Sequence, residues 1–508
     1  MCVCYNFIQG KRQIMTQLKH YLETRKKLKA YEYVMWLMSW DAETEAPKKA
    51  LEYRSKQLEV MAGEVYSIQS DKQYVQAIES LHEQLDTLDK DLQTEIKKEF
   101  RELRFIKKVP KEAYIAYQVL LSKSVPLWAE AKHKNDFKLF APTLKEIVDY
   151  QRNLVKYLEE EHLKGYDLLL DMYEEGFTHK EYDFFFDTLK KELVDFVKEV
   201  TKDPKPLHPK LANGPFDKDK QKVFSEYLLD VFFYDRERGL LKTSEHPFTS
   251  GVTSVDTRIT TRYLEDNLAS SIFSTIHEMG HGLYEMQNDP KYDDTYLHGG
   301  TSLGIHESQS RMYENMIGRS KAFWQLHYKK LQEVFAPQLD DVTLDDFMDY
   351  MNHSARTLIR VEADELTYAL HIMVRYDIEK RLISGDIEVE DLPQIWNDTY
   401  EAYLGIRPST DTEGVLQDIH WSGGSFGYFP TYALGSAYGA QIYDAMANEI
   451  DVEAAISKNN IQAINDWTKE HIHQYAQSKT PKEIMLIATK KPFDPMHYVN
   501  YLKGKYAK

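Results

Sequence analysis

The segment SSIFSTIHEMGHGLYEMQ, from Ser270 to Gln287, contains the pentad His277-Glu278-Met279-Gly280-His281. Residues four apart on an α-helix lie on the same face, one turn above the other, so both imidazoles can reach one metal ion. Glu278 lies between them, close enough to move protons on a metal-bound water but not placed as a ligand. The pentad is the HExxH pattern that is typical of zinc peptidases. It is short enough to arise by chance, and the rest of the chain must support it.

A third metal ligand is expected C-terminal to the pentad. A catalytic zinc usually takes three protein ligands and keeps its fourth position for water. Glu307, in IHESQSRMYEN, follows His281 by 26 residues, a distance that fits a helix, a loop and an adjacent antiparallel helix. His306 and Glu314 remain alternatives. A carboxylate favoured at a helix start by the helix dipole also fits Glu307.

The segment before the pentad has a different composition from the rest of the chain. HPFTSGVTSVDTRITTRY, from His246 to Tyr263, is rich in Thr, Val and Ile in near-alternation, which predicts one or two strands. It is the only stretch that clearly predicts β-structure. A short strand directly before a metal-binding helix could pair with an extended peptide.

Helical patterns dominate elsewhere, so the predicted fold class is mainly α, with a small β-sheet next to the metal-binding helix. The first pattern, from Thr16 to Tyr66, breaks at Ala46-Pro47 and predicts an αα-hairpin in which Trp36 and Trp40 are core aromatics. Hydroxyl caps followed by an acidic residue mark three later helix starts. They lie at Thr178/Glu181, Thr343/Asp346 and Thr480/Glu483.

Two segments bear on domain organisation. Residues 1–15 are predicted to be an N-terminal extension, with disorder as one alternative, and Met15 is an alternative start. Residues 16–508 are predicted to form a single catalytic domain. The Pro-rich DPKPLHPKLANGP at 203–215 predicts a soft division between an N-terminal helical half and the half carrying the metal site.

Composition excludes several classes of partner. The chain has 508 residues and a formal net charge of −17, which argues against binding to nucleic acid or to an anionic membrane. Its two cysteines, Cys2 and Cys4, leave no disulfide framework for the remaining chain, as expected in a reducing cytosol. We see neither a secretory signal nor an apolar run of membrane-spanning length.

Five separated motifs resemble, in sequence and in order, those of the carboxypeptidase Taq family of zinc metallocarboxypeptidases. The similarity extends from about Leu18 onward and implies a helical fold with a deep active-site cleft, a cytoplasmic homodimer and removal of single residues from peptide C-termini. It also implies that His277, His281 and Glu307 bind the metal. The motifs are Asp256-Thr257-Arg258-Ile259-Thr260, the pentad, His306-Glu307-Ser308-Gln309, Ile359-Arg360-Val361-Glu362-Ala363-Asp364, and Gly414-Val415-Leu416-Gln417-Asp418-Ile419-His420-Trp421.

The implied mechanism is hydrolysis of peptides of broad specificity by a zinc-activated water, with cobalt as an alternative metal. Glu278 would be the general base and later the general acid. His420 and Tyr428 are candidates for stabilising the oxyanion, since related helical zinc dipeptidases use a comparable His and Tyr. A structural histidine beside Trp421 and an ordinary tyrosine are the alternatives.

An exopeptidase must also bind the free C-terminal carboxylate, which a planar guanidinium matches in bidentate fashion. Arg360 is the preferred candidate for this role, with Arg258 and Arg407 as alternatives. Arg360 could instead pair internally with Glu362 or Asp364. Gln417 is a further candidate for binding the substrate backbone.

The sequence offers two candidates for the side chain that supports a metal-binding histidine. In many related zinc peptidases a carboxylate four residues after the third ligand supports a histidine, but here that position is Arg311. Asp256 and Glu314 are the candidates to replace it.

Two other functions compete with a carboxypeptidase. One is an HExxH oligopeptidase or dipeptidase that cuts away from the free C-terminus. The other is a helical interaction protein with a dead metal site, which has no need for Glu278.

Overall fold

The helical patterns become twenty-one α-helices in the computed structural model, which describes residues 2–507, with side chains from Ile14 onward. Ten helices precede the sheet: α1 (Cys2–Thr44), α2 (Leu51–Gln69), α3 (Lys72–His82), α4 (Lys90–Lys108), α5 (Lys111–Lys134), α6 (Phe137–Leu158), α7 (Tyr166–Asp171), α8 (His179–Val200), α9 (Pro209–Asn213) and α10 (Lys218–Val231). Eleven follow it: α11 (Leu268–Met286), α12 (Leu303–Arg311), α13 (Lys321–Phe335), α14 (Leu344–Met351), α15 (Tyr368–Ser384), α16 (Leu392–Leu404), α17 (Phe429–Glu449), α18 (Val452–Ser457), α19 (Ile461–His471), α20 (Pro481–Thr489) and α21 (Met496–Tyr506). The prediction of a mainly helical fold is confirmed.

Local hydrogen bonds set where three of these helices begin. At α8, α14 and α20 the cap threonine and the acidic residue three positions later bond each other's backbone N–H groups. Each such cap stabilises its helix by about 1 kcal/mol. All three predicted capping boxes are therefore confirmed.

Three strands form one small sheet: β1 (Gly239–Thr243), β2 (Thr249–Thr253) and β3 (Asp256–Thr261). The central strand is β3, which pairs in parallel with β1 and antiparallel with β2. The predicted β stretch contains β2 and β3. Strand β1 lies outside it and was not predicted, because GLLKT has no alternation and pairs only once β3 is in place.

The main apolar core extends from Val109 to Leu502 and is continuous across residues 203–215, with Leu189 on one side and Phe224 on the other. The Pro-rich segment itself is mostly irregular and contains only α9. A smaller, separate core, with Tyr21 among its members, joins α1, α3 and α4. No helix within residues 2–507 is long and apolar enough to cross a bilayer.

The predicted N-terminal hairpin contacts the sheet through its first helix. Most of the predicted extension belongs to α1, although its side chains before Ile14 lie outside the described residues. Trp40 is buried, as predicted, and packs edge-on against Phe248. Trp36 is only half-buried and donates from Nε1 to Ser250 Oγ at 2.6 Å. The hairpin is thereby attached to the edge strand β2.

Candidate metal centre and active site

His277 and His281 on α11 and Glu307 on α12 each place a ligand-type atom within 4.8 Å of the other two. Glu307 Oε2 lies 3.6 Å from His277 Nε2 and 3.4 Å from His281 Nε2. Two imidazole nitrogens and one carboxylate oxygen are the donors that a catalytic zinc site uses. The three residues, hereafter the metal-binding cluster, therefore fit one divalent ion.

Glycines let the helices that carry this cluster approach each other closely. A Cβ atom at Gly280 would lie 2.9 Å from Ser310 Cα and 3.0 Å from the carbonyl oxygen of Gln309. On the other side of α12, a Cβ atom at Gly435 would lie 2.5 Å from Glu307 Cβ. Helix α12 is thus held between α11 and α17, with Glu307 at the contact.

Glu278 is buried and is held by the edge strand of the sheet. The hydroxyl of Thr249 on β2 lies 2.7 Å from Glu278 Oε2 and 2.8 Å from the Glu278 carbonyl oxygen. Burial raises the pKa of the Glu278 carboxyl, whereas the charge of His277 and the hydrogen bond from Thr249 act to lower it. The net pKa is above the ordinary value, which suits a group that must accept a proton and release it again.

The two histidines of the cluster have different supports. His277 Nδ1 lies 2.8 Å from Glu314 Oε2, so one of the two candidate carboxylates does contact a ligand. Glu314 lies in a π-helical segment, Met312–Gly318, that continues α12. His281 Nδ1 instead lies 2.5 Å from His306 Nδ1. Burial and the neighbouring His306 lower the pKa of His281 to about 3, so its imidazole is neutral.

The other candidate support, Asp256, forms no hydrogen bond with the metal-binding cluster among the described residues. Both of its oxygens accept from Arg258, at 2.8 Å each, and the Arg258 guanidinium also lies 4.8 Å from the centre of the Trp36 ring. Arg258 therefore connects β3 to α1. Arg407 is on the surface and pairs with carboxylates of α16.

Arg311 is a site residue whose role the sequence did not reveal. Its Nε donates to Glu307 Oε1 at 2.7 Å, and its guanidinium lies 4.7 Å from the centre of the Tyr368 ring. Burial acts to raise the pKa of Glu307, but the charges of Arg311 and His277 outweigh it and hold that pKa well below its ordinary value. The i,i+4 spacing of Glu307 and Arg311 was the available signal.

A buried group of charges lies on the other side of Tyr368. Arg360 donates from Nε and Nη2 to Asp418 Oδ1, at 2.9 and 2.8 Å, and from Nη1 to the Tyr368 hydroxyl at 3.4 Å. Arg375 binds the second oxygen of Asp418. Arg360 lies in a 3₁₀ turn, Arg360–Glu362, and its internal partner is Asp418 rather than Glu362 or Asp364. Tyr368 thus connects this group to Arg311.

Gln417 holds Arg360 in place. Its side-chain oxygen accepts from the Arg360 backbone N–H at 2.9 Å and from Arg375 Nη2 at 2.7 Å. Its amide nitrogen donates to the carbonyl oxygens of Leu358 and Glu413. All of these contacts are within the chain, and they connect the amide to Arg360, Arg375 and two backbone carbonyls.

His420 and Tyr428 are brought together, with ring centres 5.5 Å apart. Burial lowers the pKa of His420 to about 4, and its buried Nδ1 has no hydrogen-bond partner among the described residues. Glu379, which the sequence did not indicate, accepts at 2.7 Å from Trp421 Nε1 and at 2.8 Å from the Gly427 N–H. One buried carboxylate therefore fixes both ends of the loop between His420 and Tyr428.

The chain is similar to known metallocarboxypeptidases over almost its whole length. Residues 20–506 match the family model described as Carboxypeptidase Taq (M32) metallopeptidase. The chain is 40% identical to Carboxypeptidase 1 of Bacillus subtilis, over 97% of this chain and 99% of that one, and 35% identical to Thermostable carboxypeptidase 1 of Pyrococcus furiosus, over 96% and 98%. Among solved structures, a Pyrococcus furiosus carboxypeptidase superposes with a TM-score of 0.92 at 34% identity, covering 96% of this chain and 99% of that one. Trypanosoma cruzi metallocarboxypeptidase 1 gives 0.92 at 33%, covering 97% and 100%.

Proposed function

Since the chain belongs to the carboxypeptidase Taq (M32) family of metallopeptidases, we propose that it removes single residues from peptide C-termini with one zinc ion bound by His277, His281 and Glu307. Family membership makes it a metallocarboxypeptidase, a hydrolase acting on peptides. The observation that carries the choice of site is the convergence of three ligand atoms within 4.8 Å, beside the buried carboxyl of Glu278.

The donor set supports zinc, with cobalt as an alternative, because imidazole nitrogen and carboxylate oxygen suit both ions. When bound, the ion supplies Lewis-acid polarisation of the scissile carbonyl and lowers the pKa of water. Glu307 is kept ionised by Arg311, and His281 is kept neutral by burial, so both are in the protonation state that a ligand needs.

Glu278 would accept a proton from the attacking water and deliver it to the leaving amine. Two observations support this role. Its pKa is raised by burial, which brings it closer to neutral pH. Thr249 also fixes the orientation of the carboxylate through the bond to Oε2.

His420 and Tyr428 would donate hydrogen bonds to the carbonyl oxygen as it becomes negative. The unpartnered Nδ1 of His420 and its neutral state support this assignment. Glu379 fixes the loop that carries both residues.

Arg360 would bind the terminal carboxylate of the substrate. Arg360, Arg375 and Asp418 together carry one net positive charge in a buried position, and a buried charge needs a counter-ion. Arg258 is less suited to this role, since Asp256 balances its charge one to one, whereas Arg360 shares Asp418 with Arg375. Gln417 would contribute by holding Arg360.

The experiment is mass analysis of matched peptides with free and amidated C-termini, incubated with apo-enzyme and with added zinc or cobalt. We expect stepwise loss of single residues from many free-ended sequences, no cleavage of the amidated set, and no turnover without metal. Cleavage of amidated peptides would favour an oligopeptidase. Absence of metal binding and of all peptidase activity would favour the interaction-protein alternative.

Broad specificity, a cytoplasmic location and a homodimer belong to the same proposal. The absence of cysteines after Cys4 supports a reducing compartment. Light scattering of the purified chain, whose mass is 59.6 kDa, gives a direct measurement of the number of copies per particle.

A further inference from the structure

A line of polar side chains, half-buried at His281 and His306 and buried at Glu285, extends from the metal-binding cluster at His281. His281 Nδ1 lies 2.5 Å from His306 Nδ1, and His306 Nε2 lies 2.7 Å from Glu285 Oε1. We propose that Glu285 and His306 are positioning residues for the metal site, because they determine which ring nitrogen of His281 carries its proton. The inference rests on the proposed metal site and extends it by two residues that are not ligands.

The direction of each hydrogen bond in this line follows from the groups at its two ends. A neutral imidazole has one N–H donor and one acceptor nitrogen. The carboxylate of Glu285 can only accept, so His306 donates from Nε2 and its Nδ1 is left as the acceptor. His281 must then donate from Nδ1, which leaves the lone pair of its Nε2 facing Glu307 Oε2, 3.4 Å away. That lone pair is what a metal ion needs.

The ring of His306 is held tightly enough to transmit this preference. A Cβ atom at position 300 would lie 2.4 Å from His306 Cδ2, so Gly300 allows the loop to pack directly on the ring. The centre of the Tyr284 ring lies 5.2 Å from the centre of the His306 ring. A ring fixed by its neighbours cannot exchange its two nitrogens by rotating.

The second oxygen of Glu285 lies at ion-pair distance from His298 but forms no aligned hydrogen bond with it. Oε2 lies 3.3 Å from His298 Nε2, and His298 Nδ1 lies 3.2 Å from Asp293 Oδ1. Asp293 accepts from the backbone N–H and the hydroxyl of Ser254, at 2.8 Å each. The hydrogen-bonded line therefore ends at Glu285, and the buried His298 and Asp293 separate it from the turn between β2 and β3.

His277 provides an internal comparison, because its Nδ1 meets the carboxylate of Glu314 without an intervening imidazole. A carboxylate that touches a metal-ligating histidine is a common support. At His281 the same effect is relayed through His306. The relay predicts that removing the charge of Glu285 affects a ligand that Glu285 does not touch.

The test is a zinc titration of apo-enzyme in competition with a chromophoric chelator. Glu285→Gln and His306→Phe should each weaken zinc binding by about 10-fold or more. The glutamine amide can donate to His306 Nε2, which would turn Nδ1 of His306 into a donor and push the His281 proton onto Nε2. The double variant should bind zinc no more weakly than His306→Phe alone, since Glu285 acts through His306.

The matched control is Glu379→Gln, which removes another buried carboxylate and should leave zinc affinity unchanged. Unchanged affinity in Glu285→Gln, or additive losses in the double variant, would overturn the relay. Wild-type enzyme that binds no stoichiometric zinc would instead refute the metal site. If His306→Phe does not fold, ¹⁵N-histidine spectra of the apo wild type and Glu285→Gln decide the question. An unchanged His281 tautomer there contradicts the relay.

Discussion

Arg311 Nε donates a hydrogen bond to Glu307 Oε1 at 2.7 Å, from one turn further along the same helix. The bond occupies Oε1 of Glu307. The other oxygen, Oε2, is the one that faces the two histidines and is left for the metal. A guanidinium next to a metal ligand repels a cation, yet it also keeps the buried carboxylate ionised. The second effect depends on pH, which separates the two experimentally.

Arg311→Met should make metal binding more sensitive to acid. Without the guanidinium, burial is opposed by the histidines and the Ser310 hydroxyl alone, so the pKa of Glu307 rises and a proton competes with the metal at higher pH. The ratio of zinc affinities at pH 7.5 and pH 5.5 should be several-fold larger than in the wild type. Arg407→Met, at the surface, is the control, and an equal ratio in both variants would refute the assignment.

Thr249→Val should move the acidic limb of the kcat/KM profile to higher pH. The Thr249 hydrogen bond lowers the pKa of Glu278, and a general base must be ionised to act. Removing the bond raises that pKa, so activity is lost earlier as the pH falls. Thr243→Val, an exposed position on β1, should leave the limb unchanged. A limb that stays in place in Thr249→Val would argue that another group titrates.

Arg360→Lys should raise KM for free-ended peptides by roughly 10-fold or more, with a smaller change in kcat, because an ammonium cannot make the bidentate contact. The measurement is steady-state kinetics on one peptide series. Arg407→Lys tests the alternative guanidinium and should be silent. If the KM effect appears there instead, the carboxylate-binding role moves to Arg407.

Glu174→Gln should change how stability depends on pH. Burial raises the pKa of Glu174 to about 7, although it accepts hydrogen bonds from Ser302 and Gly304 at the start of α12. Its pKa is higher folded than unfolded, so the folded state binds more protons between about pH 4.5 and pH 7, and wild-type stability falls as pH rises through that window.

In Glu174→Gln, this pH-dependent decrease in the free energy of unfolding, up to about 3 kcal/mol in the wild type, is absent. The variant-minus-wild-type difference in Tm should therefore increase in the variant's favour from pH 5 to pH 8. Comparing the two proteins at each pH cancels any common effect of metal release. A difference that does not vary with pH would contradict the raised pKa.

Local chemistry made the metal-binding cluster predictable, since the i,i+4 histidines and the start of the next helix are encoded within 31 residues. Which of His306, Glu307 and Glu314 is the third ligand depends on which face of α12 is turned toward the two histidines, and the sequence does not show this. His306 is about 100° around the helix from Glu307, which directs it to the far nitrogen of His281. Glu314, two turns after Glu307, contacts Nδ1 of His277, the ring nitrogen that faces away from the metal position.

Long-range pairing explains what the sequence could not predict. The alternative to a substrate role for Arg360 is an internal partner two or four residues away in a helix, whereas its partner Asp418 is 58 residues distant. Strand β1 exists because β3 pairs with it, and Glu379 matters because a loop some 40 residues later folds onto it. No local pattern carries such information.

The HExxH motif is written with two free positions, but in this chain the second of them has no freedom. Gly280 is the point where the backbone of α12 touches α11, and even a methyl group there would displace Ser310. A glycine is therefore needed at this position because the two helices are so close, and not because the residue takes part in the chemistry. Among chains that share the HExxH motif, a glycine at the second free position would identify those in which the helix carrying the third ligand contacts the backbone of the HExxH helix.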